Sequence, residues 1–141
     1  MIEFVKGNIL ESKAEALVNT VNTVGVMGKG IALAFKNSFP QVFHEYEKAV
    51  NNLEISVGKV QVVKTNMLSP KYVINFPTKK HWRYPSKVQF IEDGLNDLVD
   101  KIEKYNIKSI AIPPLGCGNG NLEWTVIKSL LIKTIKNFRK R

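Results

Sequence analysis

Strands and helices alternate along these 141 residues, which predicts a layered α/β domain. Three observations carry that reading. Short apolar runs such as 16–20 and 72–76 have strand length, residues 86–105 and 123–138 repeat apolar side chains at helical spacing, and polar or glycine-rich turns separate the runs.

In chain order, residues 2–5 read as a first short strand, with Gly7-Asn8 as its turn, and 16–20 as a second, buried strand. The pattern turns helical over 31–36. Pro40 opens a further helix that runs to Val50, and Asn51-Asn52 breaks it. Residues 60–64 and 72–76 follow as strands. Residues 86–105 form the clearest helix, because Ile91, Leu95, Leu98 and Ile102 fall on one face and Glu92, Asp93, Asp97 and Lys101 lie away from it. An apolar strand at 109–113 leads to a last helix over 123–138. There Ile127, Leu130, Leu131, Ile135 and Phe138 face the core, and Lys128, Lys133, Lys136 and Lys140 face solvent.

Composition narrows the function classes. The length fits one domain over 1–141, and a hydrophobic fraction of 44% is that of a globular protein. No signal-peptide pattern opens the chain and no run of eighteen apolar residues occurs, so neither secretion nor a membrane partner is expected. The lone cysteine, Cys117, has no internal disulfide partner, and no Cys/His cluster has zinc-ligand spacing; a reducing cytoplasm and no metal or other cofactor follow as expectations. Lys and Arg number 21 against 12 Asp and Glu, a net charge of +9, which favours polyanionic partners. Basic residues gather at Lys79, Lys80, Arg83 and Lys87, with His81, Trp82 and Tyr84 between them, and again at Lys133, Lys136, Arg139, Lys140 and Arg141.

Two glycine-rich segments carry chemistry. The first, Asn19-Thr-Val-Asn22-Thr-Val-Gly25-Val-Met-Gly28-Lys-Gly30-Ile-Ala32, joins a strand to a helix, where free N–H groups and close backbone approach suit a diphosphate. Its spacing matches neither G-x-G-x-x-G nor a Walker loop. Glycines in such a connection also serve plain turn chemistry. The second, Leu115-Gly116-Cys117-Gly118-Asn119-Gly120-Asn121, again lies between an apolar strand and a helix. A pair of backbone cradles can hold both phosphates of a diphosphate with few charged side chains. In an α/β sheet both belong at the carboxyl ends of strands, on the rim shared with Gly7-Asn8-Ile9 and Pro77-Thr78-Lys79-Lys80.

With these segments the chain resembles the macro domain family of ADP-ribose-binding modules. The features that match are Lys6-Gly-Asn-Ile9, Ala16-Leu-Val-Asn19 with Asn22, Gly28-Lys-Gly-Ile-Ala32 and Ile112-Pro-Pro-Leu-Gly-Cys-Gly118. The resemblance implies a mixed central sheet with helices on both faces. It is nearer still to the DarG-type antitoxin macro domains, through Asn19 to Gly30, Asn75-Phe-Pro-Thr-Lys-Lys-His-Trp-Arg83 and Gly116-Cys-Gly-Asn-Gly-Asn-Leu-Glu-Trp124. That group removes ADP-ribose from thymidine in DNA modified by DarT-type toxins.

The resemblance implies a DNA ADP-ribosyl glycohydrolase acting on ADP-ribosylated single-stranded DNA. A non-catalytic ADP-ribose reader and a hydrolase of ester-linked ADP-ribose are the alternatives. It makes Lys79 and Asn22 the catalytic candidates, with Asn22 on the distal ribose; an asparagine at that place can also serve only the backbone of its own turn. Asn8 and the Ile9 N–H are assigned to the adenine edge. Thr20, Val21, Gly28, Lys29, Gly30 and Ile31 supply one wall of the ADP-ribose site, and Leu115, Gly116, Cys117, Gly118, Asn119 and Gly120 the other. Lys80, His81, Trp82 and Arg83 are assigned to nucleic acid, where aromatic faces among cations suit a single strand.

A neutral Lys79 amine can attack the anomeric carbon, and burial or crowding by Lys80 lowers its pKa; a charged Lys79 can instead orient the ribose or stabilise the departing thymine anion. Cys117 reads as a packed small residue. Gly120 stands where a protein-directed glycohydrolase of the family carries an aspartate, which counts against a Lys/Asp mechanism. The toxin partner expected from the resemblance binds a further region, and nothing after the last helix is long enough to be one.

Overall fold

The structure, a computed structural model, describes residues 2–139, without the side chain of Arg139. The basic cluster expected at the C-terminus is therefore described only at Lys133 and Lys136; Lys140 and Arg141 lie outside the described residues. A 3-10 turn at Ile9–Glu11 precedes β1 (Ala16–Asn22), α1 (Gly30–Ser38), α2 (Pro40–Asn51), β2 (Gln61–Lys64), β3 (Tyr72–Lys79), α3 (Val88–Lys104), β4 (Ile110–Ala111) and α4 (Trp124–Arg139).

The sheet has the order β2-β3-β1-β4, with β1 parallel to both of its neighbours and β2 antiparallel to β3. It is mixed, as the resemblance implies. Side-chain alternation along the strands feeds two faces. Ala16 and Val18 of β1 and Tyr72, Ile74 and Phe76 of β3 pack with Ile91, Leu95 and Leu98 of α3 and Ile127 and Leu131 of α4. On the opposite face Leu17 and Val73 meet Phe35 of α1 and Val42 of α2, and Val21 meets Met27 and Tyr46. Helices thus cover both sides, and β1 and β3 are buried along nearly their whole length.

Residues 2–5, expected as a strand, join no strand of the sheet. They cross the start of α4 instead, where Phe4 meets the Trp124 ring edge to face at 6.1 Å and lies 4.7 Å beneath the Lys128 ammonium. The fourth expected strand ends at Phe76, whereas β3 runs to Lys79. Pro77 is tolerated there because the last pair with β2 is Gln61–Asn75, so past it no β2 carbonyl waits for an N–H. β4 is shorter than the expected 109–113, since Pro113 and Pro114 cannot donate to a ladder.

Three amides cross the buried sheet. Asn19 Nδ2 donates to Asn75 Oδ1 at 3.1 Å, Asn75 Nδ2 to Gln61 Oε1 at 2.9 Å, and Gln61 Nε2 to the Glu45 carbonyl of α2 at 3.2 Å. Asn19 and Asn75 are both fully buried, where each unmade hydrogen bond carries a desolvation cost.

Candidate functional site

Because β1, β3 and β4 are parallel, their carboxyl ends share one edge of the sheet. A cavity of about 800 Å³ opens there, within the usual ligand-site range of roughly 300–1,000 Å³. Its wall takes in the ends of β1 and β3, the start of α1, Pro113 and Pro114, and the second glycine loop.

β1 and β3 fall out of step at their ends: Val21 pairs with Pro77, but Asn22 pairs with Lys79, leaving Thr78 as the extra residue. This bulge sets the two catalytic candidates side by side on the cavity wall. Lys79 Nζ donates to the Trp82 carbonyl at 3.4 Å. Burial, and then the nearby Lys29 ammonium, hold its pKa below the ordinary lysine value. The crowding cation is therefore Lys29 rather than the expected Lys80, whose ammonium instead lies 5.7 Å over the Phe90 ring.

Asn22 is only 7% exposed and organises the loop that follows it. Its Oδ1 accepts the N–H groups of Val24 at 3.0 Å and Val26 at 3.3 Å, and its Nδ2 donates to the Val26 carbonyl at 2.8 Å. A carboxamide has two N–H donors, so one stays available to a ligand. Tyr46 of α2, which no sequence motif singles out, backs this loop. Its hydroxyl lies 2.7 Å from the Asn22 carbonyl and 2.9 Å from Asn22 Oδ1, and accepts the Gly25 N–H at 3.1 Å. Burial pushes the phenol up to about 12, so it keeps its proton at working pH.

α1 begins with Lys29 at its cap position, and no side chain bonds the first turn. The Leu33 N–H makes the first bond back, to the Lys29 carbonyl at 3.2 Å, so the N–H groups of Gly30, Ile31 and Ala32 precede the helical ladder on the cavity wall. Such a terminus attracts anions. The facing loop is closed on itself: the Leu122 N–H donates to the Gly116 carbonyl at 2.9 Å and the Ser86 N–H to the Gly120 carbonyl at 3.0 Å. A Cβ at Gly120 would stand 2.8 Å from the Gly116 carbonyl carbon, so the turn excludes any side chain there, the family's aspartate included. The two loops nearly meet, since a Cβ at Gly30 would lie 3.7 Å from Asn119 Nδ2.

The lining holds Lys29, Lys79 and Arg83 and, among the described residues, no acidic side chain. Thr20, Val21, Asn22, Gly28, Gly30, Ile31, Trp82, Gly116, Gly118, Asn119 and Gly120 all line it. The remaining candidates fall outside the lining. Asn8 caps the 3-10 turn by accepting the Leu10 N–H at 3.0 Å, with Ile9 in that turn. Leu115 is buried in the core. The Cys117 thiol lies 3.5 Å from the Leu115 carbonyl, and burial pushes its pKa up.

Lys80 and His81 stand beside the mouth. The Lys80 carbonyl accepts the Thr23 hydroxyl at 2.6 Å, tying this segment to the Asn22 loop. The His81 ring packs tilted against Trp82 at 5.1 Å and Tyr84 at 5.2 Å, and the Arg83 guanidinium lies 4.7 Å over Trp82. Trp82 is 44% and Tyr84 61% exposed, a solvent-facing aromatic surface flanked by cations.

The macro domain family model matches residues 18–131. The chain is 50% identical over 137 residues to a Thermus aquaticus protein named DNA ADP-ribosyl glycohydrolase, covering 96% of this chain and 38% of that protein. It thus spans about two-fifths of that relative's length. Among solved structures it is similar to the macrodomain of Mycobacterium tuberculosis DarG, with a TM-score of 0.95 and 52% identity over 97% of this chain and 91% of that one. It is also similar to Thermosipho africanus DarTG in complex with ADP-ribose, with a TM-score of 0.85 and 37% identity over 92% of this chain and 37% of that one. On the family match, the sheet order and the two facing glycine loops, the chain belongs to the macro domain family.

Proposed function

We propose that the cleft binds ADP-ribose and that the domain hydrolyses the N-glycosidic bond joining it to thymidine in single-stranded DNA, reversing a DarT-type modification. The observation that carries this reading is the pairing of Asn22 with Lys79 across the β1–β3 bulge, on the wall of a cavity closed by two glycine loops. The N–H groups at the start of α1, with Lys29, face the diphosphate from one side and the Gly116–Gly120 backbone from the other. Asn22 offers its remaining N–H to the distal ribose.

Cleavage leaves positive charge on the anomeric carbon and the bonding pair on the base nitrogen, which then gains a proton while a hydroxyl from water ends on the sugar. Glycosidases commonly use two carboxylates for this chemistry, and the described lining contains none. Lys79 is the titratable group adjoining Asn22. Its lowered pKa enlarges the neutral fraction able to attack the anomeric carbon; in its charged form it stabilises the departing base, with Arg83 on the same wall. The relative's name and the complex of DarTG with ADP-ribose support the substrate class.

The ring surface of His81, Trp82 and Tyr84, with Lys80 and Arg83, takes the single strand beside the modified base. In a full-length protein, a DarT-type toxin is the partner this reading implies.

The test is release of ADP-ribose from a modified thymidine oligonucleotide. Wild type turns over, Lys79→Ala slows by at least roughly a hundredfold while still binding ADP-ribose in calorimetry, and Asn22→Ala keeps both activities measurable but weakens each by roughly tenfold or more. Binding without turnover by wild type would make the domain a reader, and turnover confined to ester-linked ADP-ribose would make it an esterase.

A further inference from the structure

Tyr46 lies behind the cleft wall, fully buried in α2, with its hydroxyl among three groups of the Asn22–Val26 loop. A ring that only filled space would need no hydroxyl; phenylalanine would bury the same face but leave the Gly25 N–H without its acceptor. Here the O–H is shared between the main-chain carbonyl and the side-chain oxygen of Asn22, and its lone pair takes the Gly25 N–H. Gly25 has φ +90, a left-handed conformation that a side chain resists, so Tyr46 holds the turn from behind at the residue whose backbone calls for glycine.

The side-chain oxygen of Asn22 is thereby fixed at one end by Tyr46 and at the other by Val24 and Val26 N–H groups. With Nδ2 anchored on the Val26 carbonyl, the carboxamide plane has no freedom to rotate.

Resting on the proposed function, we propose that Tyr46 is a positioning residue for that reaction: its hydroxyl orients the Asn22 carboxamide, so that the remaining N–H meets the distal ribose next to Lys79. Tyr46 touches neither substrate nor reacting atoms. It acts through Asn22, and the two residues therefore form one functional unit.

A double-variant cycle tests this, with wild type, Tyr46→Phe, Asn22→Ala and the pair measured for single-turnover release from modified oligonucleotide and for calorimetric affinity toward ADP-ribose. Tyr46→Phe is expected to slow release on the order of tenfold or more in the wild-type background, and to change the Asn22→Ala background less than about twofold. Equal losses in both backgrounds would show a merely structural tyrosine and overturn the proposal, as would wild-type rates in Tyr46→Phe.

A second measurement needs no variant. In proton spectra of the wild type, the Tyr46 hydroxyl should be protected from exchange and the Asn22 side-chain amide should shift on adding ADP-ribose; an unprotected hydroxyl or unmoved amide would overturn it. A wild type that binds ADP-ribose without cleaving the adduct refutes the glycohydrolase reading alone, and the affinity cycle then decides Tyr46.

Discussion

Replacing Gly120 by alanine adds one methyl group to a turn with no room for it. The new Cβ would stand 2.8 Å from the Gly116 carbonyl carbon and 2.9 Å from its Cα, and backbone cannot swing aside as a flexible side chain does. Opening the turn strains the Ser86-to-Gly120 and Leu122-to-Gly116 hydrogen bonds. Overpacking costs about 1–3 kcal/mol and each of the two weakened bonds up to about 1, so the loss is about 1–5 kcal/mol. For a chain of this length that corresponds to a fall of roughly 3–18 °C in melting temperature.

Gly118, two residues earlier, is the internal control. A Cβ there meets nothing within 4 Å, so Gly118→Ala should stay within about 0.5 kcal/mol of wild type. Thermal unfolding of the ligand-free proteins, followed by calorimetry with ADP-ribose, reads both effects. Gly120→Ala should melt early and bind at least roughly tenfold more weakly, because the same opening displaces the backbone that faces the diphosphate. Melting of Gly120→Ala within about 2 °C of Gly118→Ala would refute the steric account of why this loop lacks the aspartate.

Lys79 binds fewer protons folded than unfolded between its lowered pKa and the ordinary 10.5, so its charge penalises the fold below that window and the penalty fades as pH rises through it. Lys79→Met should therefore melt above wild type at pH 7, with the gap closing toward pH 10.5, while losing turnover. Lys29→Ala should move the limb of the kcat/KM profile that reports Lys79 to higher pH, because it removes the neighbouring cation; an unmoved limb in rate assays across pH would show that Lys29 does not tune Lys79. Lys80→Ala should weaken oligonucleotide binding and flatten its log–log salt dependence by roughly 0.7, leaving the affinity for free ADP-ribose unchanged in titrations. Asn75→Leu strands Asn19 Nδ2 and Gln61 Oε1, and urea unfolding should show a loss of about 2–4 kcal/mol.

The strongly periodic parts of the sequence were legible. Ile91, Leu95 and Leu98 face the core as their spacing implies, and the two glycine loops face one another across a cleft. Residues 2–5 show where pattern failed: a short apolar run has strand composition, but whether it pairs depends on a free sheet edge, and here Trp124 and Lys128 offered Phe4 another surface. Pro77 concealed the end of β3, because a proline reads as a stop unless the length of the neighbouring strand is known. Tyr46 was invisible as a site residue for a similar reason. Its helical spacing places it in the core, and only the tertiary fold brings its hydroxyl to a loop more than twenty residues upstream, beside Asn22.

The amide ladder has a bearing on the cleft that burial alone does not convey. A two-residue slip of β1 against β3 would keep every apolar side chain on its proper face, so hydrophobic pattern cannot forbid it. The Asn19–Asn75 rung tells the correct alignment from that slip, which would set an amide against valine or proline. The same slip would carry Lys79 about 6.6 Å along the sheet from Asn22. Two asparagines in the middle of the sheet thus act as a ruler, and the distance they measure out is the spacing of the two residues at its end.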